Sequence, residues 1–434
     1  MNLSQAQLAA RLESALGAGA VLREASILAA HCVDGKQPTL VCAPQDAEQI
    51  AALLRLCAEA RAALVPWGGG TAMAIGNTPK ALDIVVTLHR LNDILEHDHA
   101  NLTATVQSGI TMTVLQQSLA RENQFLPIDP PHPTSATIGG IVAANINGPR
   151  RLGYGSVRDL VIGMKLVLAS GEQIKAGGKV VKNVAGYDMC KLFVGSLGTL
   201  GIISEVTVRM APLPESAATL VAAGPLSSAL QFASELAHSP LLPAGLSILN
   251  PSAAQAVGIE AASSSAAVWF EGFDESLARQ LGDGAALAHR HGLKTDLLRG
   301  PFHLRLWTEI GDFPLSRDRL IYRIIVPRGL LAQVMNTLAE QAGDFQSRMI
   351  GEAGSGSLWL SLAATDEAAR WFGKLVTMAA DQRGHAVMFA APARIKAGVD
   401  VWGQAPPGFA IMREIKQQFD PQARLSPGRF VGGL

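Results

Sequence analysis

Four glycine-rich segments in one order, each beside an apolar run, constrain the fold of this chain more than any other feature. They are residues 66–71 (PWGGGT), 136–140 (ATIGG), 182–188 (KNVAGYD) and 194–203 (VGSLGTLGII). Glycine tolerates positive φ angles and lets the backbone approach a ligand, because it has no Cβ. Consecutive N–H groups in such turns form anion-binding concavities. The set therefore indicates a backbone shaped around an extended polyphosphate ligand, although one glycine triplet alone equally predicts an ordinary tight turn.

Two common nucleotide-binding motifs do not fit these glycines. The spacing around residues 68–70 is not that of the dinucleotide fingerprint, and no Gly-Lys-Ser/Thr follows as in a P-loop. Gly139 and Gly140 are expected to open a short buried helix whose first N–H groups favour phosphate oxygens. The alternative is a helix of small residues that simply packs on a sheet.

Composition excludes several classes of protein. The 434 residues are enough for two or three domains, and a formal net charge of zero gives no attraction to nucleic acid or an anionic membrane. We expect no spanning helix and no signal peptide, because no run of 18 apolar residues and no basic start with an apolar stretch occur. The four cysteines form no CxxC pair, which disfavours a metal or iron–sulfur site and fits a cytoplasmic protein.

The periodicity of apolar residues predicts mixed α and β structure. Residues 39–44 and 63–66 are predicted strands on either side of a helix at 46–61, so this βαβ unit should have parallel strands. Ser4 and Gln7 predict a capping box for an N-terminal helix. Beyond Pro214 strands and helices of similar size alternate, which is typical of an α+β domain of ferredoxin-like type. No internal repeat is evident in the sequence.

The order of the glycine segments resembles that of the FAD-binding family typified by p-cresol methylhydroxylase and vanillyl-alcohol oxidase. The ending at 419–429 (FDPQARLSPGR) is similar to the family's FDP…LNPGR/K ending. Within this family the chain is most similar to the FAD-binding subunits of bacterial glycolate oxidases, strongly over 38–214 and 409–430. The resemblance implies an α+β fold, with a PCMH-type FAD-binding domain (a βαβ subdomain plus a mixed sheet with helices) before a ferredoxin-like cap.

The resemblance also implies a division of the chain and a set of cofactor-binding residues. The expected segments are an N-terminal helical segment at 1–37, the FAD-binding domain at 38–214, the cap at 215–407, and a helix and tail returning to the FAD-binding domain at 408–434. The expected FAD-binding residues are Pro66, Trp67, Gly68, Gly69, Gly70, Thr71, Pro133, Thr134, Thr137, Gly139, Gly140, Ala144, Asn145, Gly148, Gly155, Lys182, Gly201, Ile202, Ile203 and Arg429.

Three of these assignments have particular consequences. The turn at 66–71 lacks the histidine of covalent flavoproteins, so FAD should be bound noncovalently. Lys182 is either a cation that stabilises the reduced flavin or a solvated surface lysine. Arg429 is either a cation beside the flavin or substrate, or a structural arginine of the C-terminus. An acidic side chain introduced by Gly69→Asp is expected to abolish FAD retention, by facing the pyrophosphate.

The catalytic residues remain unassigned from the sequence. The cap lacks the histidine cluster of family oxidases that act on 2-hydroxy acids, and His385 stands without the family's partners. Leu197 also replaces the glutamate of the usual GSEGTLG segment. The absence of a base fits a companion subunit, for which the resemblance implies a second, catalytic flavin subunit and an iron–sulfur subunit as partners. Electrons would then pass from a small 2-hydroxy acid, such as glycolate, through these subunits, with localisation at the inner membrane through them.

Three functions compete on these observations. The first is the FAD-binding subunit of a glycolate oxidase complex, and the second is a self-sufficient FAD-dependent dehydrogenase of D-2-hydroxy acids. The third is a non-catalytic assembly subunit with little or no flavin. The first predicts an exposed apolar surface for a partner. Candidate residues for that surface are Trp269, Phe270, Phe273, Trp307 and Trp402, although apolar aromatic residues more often belong to the core.

Overall fold

The computed structural model describes residues 4–178, 188–260, 263–315, 318–341 and 346–434. Lys182 and most of the third glycine segment lie outside these residues. The first sheet has the strand order β1-β2-β4-β3. Its strands and helices are β1 (Val21–Leu22), β2 (Leu40–Cys42), β3 (Leu64–Trp67), β4 (Ile84–Thr87), α1 (Gln5–Leu16), α2 (Ala25–Ala30) and α3 (Ala47–Ala60). The predicted βαβ unit is confirmed, and β4 lies between its two strands, parallel to both. The capping box of Ser4 and Gln7 is present at α1.

A second, antiparallel sheet follows, with the order β5-β6-β10-β8-β9. Its strands are β5 (Ile94–Asp98), β6 (Thr103–Gln107), β8 (Val161–Leu168), β9 (Gln173–Gly177) and β10 (Gly201–Arg209). A short ladder joins β7 (Gln124–Phe125) to β11 (Ala211–Pro212). The helices here are α4 (Met112–Leu119), α5 (Ile138–Ala144), α6 (Arg151–Tyr154), α7 (Val157–Leu160) and α8 (Cys190–Phe193). Apolar residues of α5, including Ile138 and Ile141, pack into the core of this sheet.

The third layer, which we call the cap, is built on one antiparallel sheet of eight strands, ordered β15-β12-β14-β13-β17-β18-β16-β19. The strands are β12 (Ser216–Gly224), β13 (Gly245–Leu249), β14 (Ser264–Gly272), β15 (Lys294–Arg299), β16 (Arg319–Ile325), β17 (Arg348–Glu352), β18 (Ser357–Ala363) and β19 (His385–Ala390). The helices are α9 (Leu226–Ala237), α10 (Pro251–Ala256), α11 (Asp274–Arg290), α12 (Gly300–Asp312), α13 (Leu331–Gln341), α14 (Asp366–Asp381) and α15 (Ala393–Lys396).

The cap contains a structural repeat that the sequence does not reveal. Strands β12 to β15 form one βαββαβ unit of ferredoxin-like order, with the short helix α10 added between β13 and β14. Strands β16 to β19 form a second unit of this order. The two units join edge to edge through β13 and β17. No internal repeat is evident in the sequence, so this duplication is visible only in the topology. The two units need only the same alternation of buried positions, not the same side chains, so no sequence similarity marks them.

The two faces of the cap sheet have different neighbours. Helices α9, α11, α13 and α14 cover one face, and a core containing Tyr322 and Phe232 lies between them and the sheet. The other face packs against α10 and α12 of the cap and against the end of α5 and loops of the first half of the chain. There Trp359 and Phe389 share a core with Ile75, Ala144 and Leu197. This core is thus formed by residues far apart in the sequence.

The chain ends in α16 (Phe409–Phe419) and a tail that returns to the first sheet. The N–H of Leu64 donates to the carbonyl of Arg424, and the N–H of Ser426 donates to the carbonyl of Leu64. The tail therefore runs beside β3, whose end leads into the glycine turn at 68–70. This path brings Arg429 to the same region.

Most of the aromatic residues considered for a partner surface are buried. Trp269, Phe270 and Trp307 are at most 5 % exposed. Trp269 and Trp307 lie in the core between the cap and the first sheets, and Phe270 packs on the helical face. These three are therefore core residues, whereas Phe273 is 71 % exposed. Among the described helices, none has the length and apolar character needed to cross a membrane.

Candidate functional site

The turn after β3 depends on three successive glycines for steric reasons. A Cβ at Gly68 would lie 2.1 Å from the Thr137 hydroxyl oxygen, and one at Gly69 would lie 1.6 Å from the Ser135 carbonyl oxygen. Gly70 has φ of +74°, and a Cβ there would meet the Trp67 ring at 2.7 Å. The backbone of the turn is thus in close contact with the start of α5. Gly69→Asp would disrupt that contact whatever the ligand, so its effect on FAD would not isolate a pyrophosphate role.

The turn at 68–70 forms one wall of a groove, and helix α5 forms a second wall. Thr137 caps the helix, and its hydroxyl accepts a hydrogen bond from the N–H of Gly140 at 3.3 Å. A Cβ at Gly139 would lie 2.6 Å from the Ser108 Cβ, so this glycine faces the sheet. A Cβ at Gly140 would meet only the Thr137 hydroxyl, at 3.2 Å. Gly140 therefore has only this one close neighbour, and it lines the groove.

The loop between α8 and β10 forms the third wall. Its N–H groups at Gly195 and Leu197 donate to the carbonyls of Val142 and Ala143, which fixes the loop to the end of α5. Gly198 has φ of +67°, and a Cβ there would lie 2.9 Å from Pro66 Cγ. Leu197 has φ of +52°, a left-handed conformation that is rare for a branched side chain. The replacement of glutamate by Leu197 therefore puts an apolar side chain at a constrained position in this wall.

Arg429 lies at the base of the groove and is 3 % exposed. Its Nη2 donates to the carbonyl oxygens of Met73 and Ile75, and its own carbonyl accepts from Trp402 Nε1 at 3.0 Å. Its Nε has no partner among the described residues, although it is buried. Burial lowers the pKa of Arg429 to about 10, so the guanidinium stays protonated at neutral pH. The residue therefore combines a structural role with an unused donor next to the glycines.

Lys396 supports the same loop from the cap. Its ammonium group is fully buried and pairs with Asp34 at 2.9 Å. It also donates to the carbonyls of Ala74 and Gly76, which flank the carbonyl of Ile75 used by Arg429. Burial lowers the pKa of Lys396, and Asp34 opposes that shift. The two cations together occupy the carbonyl oxygens of the loop after the glycine turn.

Most of the cofactor-binding residues expected from the sequence line this one groove. Those that do are Pro66, Trp67, Gly68, Gly69, Gly70, Thr71, Thr137, Gly139, Gly140, Ala144, Gly201, Ile203 and Arg429. Asn145 lies in an adjoining cleft and Pro133 in a separate pocket. Four of the expected residues line none of these three cavities: Thr134, Gly148, Gly155 and Ile202. Lys182 is outside the described residues.

The residues outside the groove have other structural surroundings. Ile202 is fully buried in the core of the first sheet, because it alternates with the groove-lining Gly201 and Ile203 along β10. A Cβ at Gly148 would lie 2.3 Å from the Asp129 carbonyl oxygen, and Gly155 ends α6 with φ of +87°. Thr134 is exposed in the loop before α5.

Sequence reasoning missed several residues that line the groove. They are Ala72, Met73, Leu88, Leu197 and Gly198. Ala143 also lines the groove, and its small side chain beside Ala144 is the signal for it in the sequence. Gly198 lies within a glycine-rich segment, so proximity to the other glycines is a signal that could have found it. Leu88 follows β4, and only the strand order places it here.

A larger cleft of about 590 Å³ adjoins the groove and shares Ala144 and Leu197 with it. The cleft lies between the loop at 194–197 and the cap, and strands β16 and β19 contribute to it. Its charged or titratable lining residues are Arg323 and His385, and none of the described lining residues is acidic. The described residues hold no group of three His, Cys, Asp or Glu suited to a metal ion.

The chain was compared with protein families and known structures. Residues 38–177 match a family model described as an FAD binding domain. The glycolate oxidase subunit GlcE of Escherichia coli (strain K12) is 30 % identical over 380 residues, which cover 86 % of this chain and 93 % of that protein. The glycolate oxidase subunit GlcD of Bacillus subtilis (strain 168) is 41 % identical over 214 residues. That match spans about half of each protein, 49 % of this chain and 46 % of the relative.

The fold is similar to that of a crystal structure of p-cresol methylhydroxylase with substrate bound. The TM-score is 0.77 at 15 % identity, over 98 % of this chain and 97 % of that chain. The fold and the glycine-lined groove define a PCMH-type FAD-binding protein, as the sequence predicted. The chain belongs to the family of FAD-dependent oxidoreductases that contains the glycolate oxidase subunit GlcE, and its cofactor is FAD.

The groove fits the diphosphate part of FAD by its chemistry. Three glycines expose backbone N–H groups without side chains, and Arg429 supplies a protonated guanidinium with an unpartnered buried Nε. An oxyanion in the groove would satisfy that donor, since a buried donor without an acceptor is costly. A groove with one cation and glycine backbone is the kind of site that binds phosphates in proteins.

Gly140→Ala is expected to weaken FAD binding and to require only that the Thr137 hydroxyl move by a few tenths of an ångström. The added methyl group would project into the groove, where crowding of about 1–3 kcal/mol would weaken binding about 5- to 150-fold. Alanine is also the better helix former. The measurement is the FAD dissociation constant of the apoprotein, from flavin fluorescence quenching.

Gly282→Ala is the matched control for this variant. Gly282 is an exposed residue of α11 and a Cβ there would meet no atom within 4 Å. The Gly282→Ala variant should leave the FAD dissociation constant unchanged. Equal FAD affinity for Gly140→Ala and the control would mean that FAD does not pass beside Gly140.

Proposed function

We propose that this chain is the FAD-binding subunit of a glycolate oxidase complex, in which a small 2-hydroxy acid is oxidised to the 2-oxo acid. The observation that carries the proposal is the continuity of the glycine-lined groove with a cleft whose described charged or titratable lining groups are basic. Such a cleft suits an anionic substrate next to the cofactor. The names of the relatives GlcE and GlcD support glycolate as the substrate.

The residues of this chain would bind the cofactor and shape the site. The N–H groups at Gly68, Gly69 and Gly70, with Arg429, would hold the diphosphate noncovalently, because no histidine is available in that turn. FAD supplies the two-electron acceptor for oxidation of the alcohol. The rings of Trp402 and Phe430, with centroids 5.2 Å apart, line one side of the cleft and would limit the access of water.

The proposed partners and the proposed domain division both follow the family resemblance inferred from the sequence. A second flavin subunit and an iron–sulfur subunit would receive the electrons, and any association with the inner membrane would occur through them. The FAD-binding domain would occupy 38–214 and the cap 215–407, with 408–434 returning to the first domain. The backbone hydrogen bonds between Leu64 and the tail support that return.

The second candidate is a self-sufficient dehydrogenase of D-2-hydroxy acids. The observation that favours it is that Arg323 and His385 both line a cleft formed by this chain alone, so that a substrate could be bound without a residue from a partner subunit. The cap histidine cluster of family oxidases is absent, but these two side chains could provide a different set of substrate contacts.

A reduction experiment separates these candidates. The chain is purified alone, loaded with FAD and mixed with glycolate without oxygen, and the visible flavin band is followed. Bleaching that requires added partner subunits supports the complex, whereas bleaching by the chain alone supports the self-sufficient enzyme. A protein that takes up no FAD when FAD is supplied would contradict both and favour an assembly role.

A further inference from the structure

The register of the cap sheet gathers four side chains on the face that lines the cleft. Strands β16 and β19 are antiparallel, with Arg323 opposite Val387 and Ile325 opposite His385. Because side chains alternate between the faces of a sheet, these four residues point to the same side. All four line the cleft, together with Asn145 and Leu197 from the FAD-binding part of the chain.

Arg323 is held in place but has unused donors. Its Nε donates to the Ser357 hydroxyl at 3.2 Å, and its guanidinium lies 5.0 Å from the centroid of the Trp359 ring. These contacts are both on β18 and fix the plane of the group. Within the described residues Arg323 forms no ion pair, and neither terminal amino group has a hydrogen-bond partner. The fork of N–H donors that suits a carboxylate therefore remains available.

The acidic side chain that attracts Arg323 is Glu352, and it already accepts hydrogen bonds from other groups. Glu352 attracts Arg323 electrostatically, but its carboxylate accepts hydrogen bonds from Trp359 Nε1 and the Ser355 hydroxyl, both at 2.8 Å. Arg151 adds a second positive charge in this neighbourhood. Glu352 thus balances part of the Arg323 charge from a distance but does not engage its terminal N–H groups, and an anion bound in the cleft would satisfy those donors. The cleft is thus prepared for a small anion.

His385 provides a different kind of contact next to Arg323. Its imidazole has no hydrogen-bond partner among the described residues, and it lines the same cleft. The side chain is solvent-exposed at the cleft, and partial desolvation, followed by the positive charge of Arg323, lowers the pKa of His385. The imidazole is therefore neutral at neutral pH, with one ring nitrogen free to accept a hydrogen bond. An alcohol hydroxyl is a suitable donor.

We propose that Arg323 binds the carboxylate of the 2-hydroxy acid and that His385 accepts a hydrogen bond from its 2-hydroxyl group. This assignment rests on the proposed function and deepens it by naming the groups that recognise the substrate. A 2-hydroxy acid carries a carboxylate and a hydroxyl on adjacent carbon atoms. Arg323 and His385 lie on adjacent strands, in two cross-strand pairs that are neighbours on this face of the sheet. Both side chains can therefore contact one small molecule of this kind.

Binding without turnover tests the assignment. The FAD-loaded chain is first reduced chemically, so that it cannot oxidise the ligand, and is then titrated calorimetrically with glycolate and, separately, with acetate. Both probes carry the carboxylate, and only glycolate carries the hydroxyl. The wild-type protein should bind both and should bind glycolate more tightly.

The variants should separate the two contacts. Arg323→Met should lower the affinity for glycolate and for acetate by about 30-fold or more, as expected for the loss of a charged partner of the carboxylate. His385→Phe should abolish the preference for glycolate over acetate and leave acetate binding nearly unchanged. Arg328→Met, which removes an exposed charge just beyond the end of β16, is the matched control and should alter neither affinity. Arg323→Lys should recover part of the affinity for both probes.

The outcomes distinguish this inference from the proposed function. Each variant is checked for FAD content, which the changes in the cleft should not reduce. If wild-type protein binds glycolate and the Arg323 and His385 variants bind it equally well, the assignment is wrong while the proposed function stands. If FAD-loaded wild-type protein binds neither probe, the assignment and the proposed function are both wrong. If Arg323→Met does not retain FAD, the test uses Arg323→Lys instead. Its affinity for acetate should be lower than that of wild type, and an unchanged affinity would contradict the assignment.

Discussion

Arg429→Met is expected to weaken FAD binding by about 10- to 150-fold. The guanidinium is the one charged group among the described residues that line the groove, and its Nε lacks a partner. A charge-assisted hydrogen bond to a phosphate oxygen contributes about 1.5–3 kcal/mol, which corresponds to that range of affinity. The measurement is the FAD dissociation constant of folded apoprotein, from fluorescence quenching.

Arg424→Met separates this binding effect from loss of stability. Arg424 is also a buried arginine of the tail, and it donates to the carbonyls of Leu54 and Ala169 much as Arg429 donates to two carbonyls. Its Nε is likewise without a partner among the described residues, but it does not line the groove. Both variants should lose similar stability, and only Arg429→Met should lose FAD affinity directly. Equal FAD affinities would contradict a contact between Arg429 and the cofactor.

Lys416→Met is expected to lower the free energy of unfolding by about 3–5 kcal/mol. The Lys416 ammonium is 2.7 Å from the Asp420 carboxylate, and both side chains are almost fully buried. It also donates to the carbonyls of Thr199 and Leu425. Methionine would leave Asp420 charged and buried without a partner cation, and would release the loop that contains Thr199. Urea unfolding of the apoprotein, followed by circular dichroism, measures the loss.

A double variant checks the cause of that loss. In Lys416→Met/Asp420→Asn the buried negative charge is gone, while the amide oxygen can still accept from the N–H of Leu425, as the carboxylate does at 2.8 Å. The double variant should therefore be more stable than Lys416→Met alone. If it is equally or less stable, an unpaired charge on Asp420 is not the source of the effect.

The parts of the fold that were predicted from the sequence are those with strong local signals. The helix at Ala47–Ala60 has a clear helical spacing of apolar residues, and the Asp46 side chain caps it. The turn at 68–70 was predicted because three consecutive glycines disfavour both a helix and a strand. Strands such as β5 and β9 were not predicted, because they lie at the edges of a sheet and carry many exposed residues. Edge strands lack the buried apolar alternation on which such predictions depend.

The candidate site was predicted only where one motif defines it. Gly139 and Gly201 line the groove as expected, whereas Ile202, between two lining residues, turns to the core. Arg323 and His385 were not predicted as neighbours. They are more than 60 residues apart in sequence, and only the pairing of β16 with β19 brings them together. The conformation of Leu197 likewise depends on the hydrogen bond to Ala143, which no local pattern reveals.

The structure of the chain with FAD bound is the most direct test of the glycine-lined groove as the cofactor site. The diphosphate is predicted to lie within hydrogen-bonding distance of the N–H groups of the turn at Gly68, Gly69 and Gly70 and of Arg429 Nε. The flavin ring should extend toward the cleft that contains Arg323 and His385. A diphosphate bound elsewhere, with the Arg429 Nε still unpartnered, would contradict this account of the site.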